Sequence, residues 1–407
     1  MKLLSWFDVR RVVATKTQLG SWLPNGIARI DCFSGVLEIG IKDKSLSSQI
    51  TACNILKDWF GDKFDGKSIS LEIGDRLPVE CVDDQNTPHN AFIHPHWQGR
   101  VYSQSSHPKD IDPSQAKVVA FHSFSGGVGK TLHLTAHLLA ILEHAEERKH
   151  PVNILLIDAD LSSPRISYWG DYKRTVSLIS YLECYQAANR DNVLNYFSEK
   201  LKAHRKKWNG SNVHVLPAFS DDQQLLDKNV FPRHLSSNDG DWGYTDAIQA
   251  LAKSVDADYV FMNLESGLSE VSAPILFDPS VHRFLVTSPE ISSLRGTELV
   301  LKELGRSDPE SLSIAPIAIV NMMTAEIDNA IIEDAITRLK KAYCDTKLSR
   351  LTVKITDYLS LHRSSEDRSN LRIVSGWREA MARLEDTSIK KSAQEWVASL
   401  NNESTRG

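Results

Sequence analysis

Ser125-Gly126-Gly127-Val128-Gly129-Lys130-Thr131 is the stretch whose reading decides the fold of this chain. Before it stands Val118-Val119-Ala120-Phe121, a short apolar run of the kind a buried parallel strand needs. After it, Leu132 to Leu142 is long and apolar enough for a helix packed on a sheet. A strand, a glycine-rich turn and a helix opening on Gly-Lys-Thr make the setting of a phosphate-binding loop. Glycines let the backbone bend tightly so that its N–H groups converge on an anion, and the helix N-terminus adds partial positive charge. This reading assigns Ser125, Gly126, Gly127, Val128, Gly129 and Lys130 to phosphate contact. Lys130 would reach the β- and γ-phosphates of a nucleotide, and the Thr131 hydroxyl would ligate Mg²⁺.

Two further strand ends support the loop. Asn153 to Ile157 is an apolar strand that runs into Asp158-Ala159-Asp160 and is stopped by Pro164. Ligands of α/β sheets gather at the carboxyl ends of strands, so both carboxylates are expected to face the phosphates. Asp258 to Gly267 holds an apolar strand ending in the amide Asn263. An amide still accepts a hydrogen bond from a metal-bound water but brings no negative charge. Glu265, two residues on, is the acid placed to compensate. Ala315 to Val320 is another apolar strand, ending at Asn321.

The ordinary Walker A pattern wants a glycine five positions before Gly129, where this chain has Phe124. The loop resembles instead the deviant form of the MinD/ParA class of P-loop ATPases, Lys-Gly-Gly-x-Gly-Lys-Thr. Six of those seven positions match, and Ser125 replaces the signature lysine. Asp158 and Asp160 before Pro164 resemble the second acidic motif of that class, Asp258 to Gly267 resembles its Walker B strand with Asn263 where the class carries aspartate, and Leu285 to Arg295 is similar to a MinD-type strand and turn. The chain is also similar to a bacterial subgroup with a Lys-Gly-Gly-Val-Gly-Arg loop, though it keeps Lys130. It shares Gly267-Leu268-Ser269-Glu270 with that subgroup. A bacterial tyrosine-kinase domain resembles the acidic motif too, but a terminal tyrosine cluster is missing, the last tyrosine being Tyr358.

The resemblance covers about Lys117 to Tyr358. It implies a doubly wound, mostly parallel α/β P-loop sheet that binds ATP and Mg²⁺. Thr131, Asp158 and Asn263 would serve the metal, Asp160 would place the attacking water with Lys130 as its catalytic companion, and Asn321 would contact adenine. It further implies an ATP-dependent homodimer or a docked protein partner. Ser125 and Asn263 both subtract from hydrolysis rather than binding, so turnover is expected to be slow or partner-dependent, with a residue such as Arg165 or a partner supplying charge. The alternative left open is a nucleotide-binding subunit with little or no catalysis in a multi-protein bacterial assembly, such as a defence system.

At 407 residues more than one domain is expected. Hydrophobic content of 41% and charged content of 24% belong to a globular protein with ample core. A net charge of -5 argues against a surface that generally coats nucleic acid, while leaving nucleic acid open as a partner of a local basic patch. Five scattered cysteines without a Cys-x-x-Cys pair fit a reducing cytoplasm, and no signal peptide or membrane span is expected. The expected order is a small α+β interaction domain over 1–100, a linker over 101–116 and the nucleotide domain over 117–407. The first domain reads α-β-β-α-β-β, with Ile69, Leu71 and Ile73 alternating as its third strand. His89, His94 and His96 beside Asp83 and Asp84 read as a polar loop rather than a metal site. Lys200, Lys202, Arg205, Lys206 and Lys207 read as a solvated helix face, and Ser388 to Leu400 as a packed terminal helix rather than a membrane anchor.

Overall fold

The structure is a computed structural model, and it describes residues 6–18, 23–32, 35–43, 45–71, 76–83, 114–168, 175–187, 190–222, 242–269, 271–307, 314–323, 329–344, 351–357 and 387–404, with Leu3, Gln224 and Leu384. The histidine cluster, Asp84, Glu270, Tyr358 and most of the expected linker lie outside these residues. The chain divides into two compact units, Met1–Phe92 and Ile93–Gly407.

In the first unit, helix α1 (Trp6–Gln18) is followed by β1 (Ile27–Cys32), β2 (Leu37–Ile41), α2 (Leu46–Phe60), β3 (Ser68–Ile69) and β4 (Leu77–Asp83). The strands form one sheet in the order β1-β2-β4-β3. β1 and β2 pair antiparallel, while β2 and β4 run parallel. Alternate residues of β1 and β2, with Ala52, Leu56 and Phe60 of α2, build a small apolar core. Ser45 starts α2 by accepting from the Ser48 N–H at 3.2 Å. Among the described residues Ser68 and Ile69 of the expected third strand pair with β4 and Leu71 lies beyond that ladder, while Ile73 falls outside the described residues.

The second unit is an eight-stranded sheet in the order β12-β11-β10-β5-β9-β6-β8-β7. Its strands are β5 (Lys117–His122), β6 (Asn153–Ala159), β7 (Lys206–Trp208), β8 (Ser211–Leu216), β9 (Tyr259–Leu264), β10 (His282–Thr287), β11 (Ile317–Met323) and β12 (Thr352–Asp357). All neighbours are parallel except β7 and β8, so the expected doubly wound, mostly parallel sheet is present. The period of two along each strand divides the core between the two faces. On β5, Val118 and Ala120 enter one cluster, and Val119 and Phe121 enter the other.

One face is covered by α3 (Lys130–Glu147) and the last helix, Ser388–Ser404. Ile389, Ala393, Trp396, Val397 and Leu400 of that last helix are buried, and Trp396 meets Phe284 edge-on at 5.3 Å. Its apolar side is thus spent on packing. The short helix α4 (Arg165–Tyr168) at the end of β6 adds Ile166 to the same face, and the other face carries α5 (Leu178–Ala187), α6 (Arg190–Ala203), α7 (Gly243–Ser254), α8 (Ala273–Phe277), α9 (Ile291–Ser307) and α10 (Asn329–Cys344); the last helix is then α11. The basic run does not form one helix face. Lys200 and Lys202 end α6, while Lys206 and Lys207 lie in β7, the antiparallel edge strand that periodicity did not reveal. Among the described residues no helix is long and apolar enough to cross a membrane.

Candidate functional site

β5 ends at His122, and the glycine loop turns back over the end of the sheet into α3. Gly127 and Gly129 hold φ of 79° and 94°, in the left-handed region that side chains disfavour. Gly129 occupies the cap position of α3, so the loop closes directly onto the positive end of an 18-residue helix. Gly126 and Gly127 are exposed, Ser125 is half-buried, and Val128 is buried beneath them. Phe124, standing where the ordinary pattern has glycine, anchors the loop. Its ring lies over Gly296 of α9, where an added Cβ would come within 2.0 Å of the ring. A second strut joins the strand end to the loop after β9. The His122 Nε2–H donates to the Gly267 carbonyl at 2.8 Å, and the Gly267 N–H donates to the Ser123 carbonyl at 2.9 Å.

Lys130 points beneath the loop. Its ammonium pairs with Asp160 at 2.9 Å, donates to Ser266 Oγ at 3.2 Å, and also donates to the Leu264 carbonyl. Burial lowers its pKa below the usual lysine range, opposed first by the Asp160 carboxylate and then by Asp158 and Glu265. Asp160 is steadied from the other side by the Ser163 N–H at 2.9 Å. One cation thus ties the ends of β6 and β9 to the start of α3.

Asp158 and Asn263 face each other across the β6–β9 ladder. The Asn263 amide donates to Asp158 Oδ1 at 2.9 Å, which leaves its carbonyl oxygen toward Thr131, whose hydroxyl is 3.4 Å away. The other carboxylate oxygen of Asp158 accepts two bonds of 2.8 Å from Ser167, from its N–H and its hydroxyl. Burial still raises Asp158 to about 6, against the lowering effect of those bonds. Among the described residues no three His, Cys, Asp or Glu side chains gather into a metal cage. Thr131, Asp158 and Asn263 instead offer a hydroxyl, a carboxylate and an amide oxygen, donors that would suit Mg²⁺ sharing its shell with phosphate and water. Exposed loop glycines, a helix start, a lysine and this oxygen set fit a magnesium nucleotide.

Glu265 is bound to the loops rather than to the Asn263 group. It accepts from Ser269 at 2.6 Å and from Ser162, and so joins the loops after β6 and β9. Arg165 opens α4 with an exposed side chain. Asn321, at the end of β11, is fully buried, and both ends of its amide bond within the protein. Residue typing alone did not find Ser167, Ser266, Thr356 or His133. Each enters through pairings across 9 to 223 residues, which leave no local pattern.

No family model matches the chain, and no curated protein matches it. Among solved structures it is similar to a ParA family ATPase from Chlorobium tepidum, at 16% identity and a TM-score of 0.45, covering 69% of this chain and 98% of that one. It is likewise similar to apo McdA from Cyanothece, at 15% identity and 0.45, with 69% and 98% covered. The MinC:MinD cell division complex of Aquifex aeolicus is similar at 16% and 0.38, with 67% and 97% covered.

Proposed function

We propose that the chain binds ATP with Mg²⁺ and works as a MinD/ParA-like switch, hydrolysing ATP slowly or on demand of a partner. The observation that carries this reading is one convergence. Lys130, Thr131, Asp158, Asp160 and Asn263 meet at the carboxyl ends of β5, β6 and β9, directly under a loop bent by Gly127 and Gly129. Mg²⁺ at this site would offset phosphate charge and align the terminal phosphate. The loop N–H groups hold the phosphate chain, and Lys130 moves its ammonium from Asp160 to a phosphate oxygen. That exchange releases Asp160, whose carboxylate is then free to hold a water in line.

Asn263 sets the tempo. With an amide there, the site holds Asp158 and Asp160 against Lys130, one negative charge fewer than with the usual aspartate. Ser125 supplies no cation to the transition state. Both features support slow intrinsic turnover, with dimerisation or a docked protein as the step that completes the site. Calorimetry with Mg-ATP, a phosphate-release assay and light scattering on the full chain test the proposal. Expected are tight binding, slow turnover, an ATP-dependent gain of mass, and loss of turnover but not of binding in Asp160→Ala. Absence of ATP binding sinks it, while binding without any turnover favours the non-catalytic subunit.

A further inference from the structure

A chain of hydrogen bonds reaches the loop from β12 and β11. Asn321 Nδ2 donates to the Val128 carbonyl at 2.8 Å, and Asn321 Oδ1 accepts from the Thr356 hydroxyl at 2.9 Å. That hydroxyl has a single proton, already spent on Asn321. Its contact with His133 Nε2 at 3.3 Å therefore has the imidazole N–H as donor. The order of donation is fixed: His133 to Thr356, Thr356 to Asn321, Asn321 to Val128. All four residues are buried, so no water competes for these groups.

The consequence lies in the peptide between Val128 and Gly129. A trans peptide is planar, with its C=O and N–H pointing opposite ways. Holding the Val128 carbonyl toward Asn321 turns the Gly129 N–H away from β11. It is thereby left to join the loop's other donors. A flipped peptide would present an oxygen to the phosphate instead. Gly129 is suited to this contact for a reason beyond its φ of 94°: a Cβ there would come within 2.3 Å of Asn321 Nδ2.

We propose that Asn321, backed by Thr356 and His133, is a positioning residue that latches the Val128–Gly129 peptide in the orientation that offers phosphate a donor. The proposal rests on the phosphate-loop reading and adds a residue to it. It differs in substance from adenine contact, because a latch acts on the phosphates and is blind to the base.

Calorimetry on the full chain with two ligands, Mg-ATP and inorganic tripolyphosphate, separates these roles. Asn321→Leu keeps the bulk and removes the donor. It is expected to weaken both ligands by the same factor, about tenfold or more. Thr356→Val keeps the shape, leaves Asn321 in place, and is expected to weaken both by about threefold. Weakened ATP with unchanged tripolyphosphate would assign Asn321 to the base and overturn the latch. A lowered Tm with both affinities unchanged overturns it as well. Should Asn321→Leu fail to fold, Thr356→Val decides on the same terms, with equal loss of both ligands supporting the latch and no loss of either refuting it. If the unaltered chain binds neither ligand, the phosphate-loop reading itself falls.

Discussion

The two units treat buried polar groups in opposite ways. Among the described residues of the first, Ser48 is the one buried polar side chain, held by Asp43 at 2.6 Å near the start of α2. The second buries Lys130, Thr131, Asp158, Asp160, Asn263, Asn321 and Thr356, all of them at or beside strand ends on one edge of the sheet. A buried polar group costs about 1–3 kcal/mol unless its bonds are remade inside. The first unit demonstrates that this chain can close a sheet core almost without such groups. The second unit also buries Arg283, Glu303 and His214 away from these strand ends, so its fold carries part of this expense, while the seven groups gathered beneath the glycine loop are the part that belongs to the site. Hydrogen bonds and one ion pair offset it.

The sharpest way to break that contrast is Lys130→Ala. Nucleotide affinity is expected to fall about 100-fold or more by calorimetry, while circular dichroism retains both units. Unchanged affinity would mean that the buried groups serve the fold after all.

Acid should separate the units next. Burial holds His122 and His137 at about 3 and His133 and His282 at about 4, against an ordinary 6.5. Lys130 adds to the depression at His122, His133 at His137, and Lys117 with Arg283 at His282. Below 6.5 the unfolded chain takes up protons that the folded unit refuses, so stability present above 6.5 is lost as pH falls toward 4. Asp158 runs the other way. Its folded pKa of about 6 exceeds 3.8, so acidification through that window returns some stability. Four rings outweigh one carboxylate, each ring costing about 1.4 kcal/mol per pH unit. The thermal transition of the second unit is expected to drop between about pH 7 and about pH 5.5, while that of the first, which has no histidine among its described residues, stays. Equal shifts in both would contradict this.

A smaller effect is expected from Asn263→Asp, which sets a carboxylate where an amide now stands 2.9 Å from Asp158. The change should cost about 2 kcal/mol in chelator and recover in Mg²⁺, as judged by Tm. Insensitivity to Mg²⁺ would count against Asp158 and position 263 sharing the metal. Smallest of all, Ser45→Ala removes the cap of α2 and should cost about 1 kcal/mol, confined to the first unit and independent of nucleotide.

Much of this was written in local pattern. The strand before Ser125, the paired acids after β6 and the amide at position 263 are each visible because period and residue type coincide with an element's end. In the third strand Leu71 continues an alternation that the described ladder, Ser68 and Ile69, does not follow. The β7 edge was hidden by its three residues and their charge. Phe124 looked like a defect in a glycine pattern; its reason is Gly296, which is 172 residues away. Asn321 illustrates the limit most clearly. Its position at a strand end was legible, but its partners were not, since Val128 and Thr356 reach it from two other parts of the chain.

The packing of α11 on α3 also orders events in time. The helix that begins at Lys130 has its outer side covered by residues 388–404, about 260 positions later. During synthesis at about 5–20 residues per second, that side stays uncovered for tens of seconds after the glycine loop has left the ribosome. The glycine loop is thus among the first parts of its unit to be made, and the helix that seals its support is among the last. A chain released early would carry every residue of the glycine loop and still present an open apolar flank beneath it.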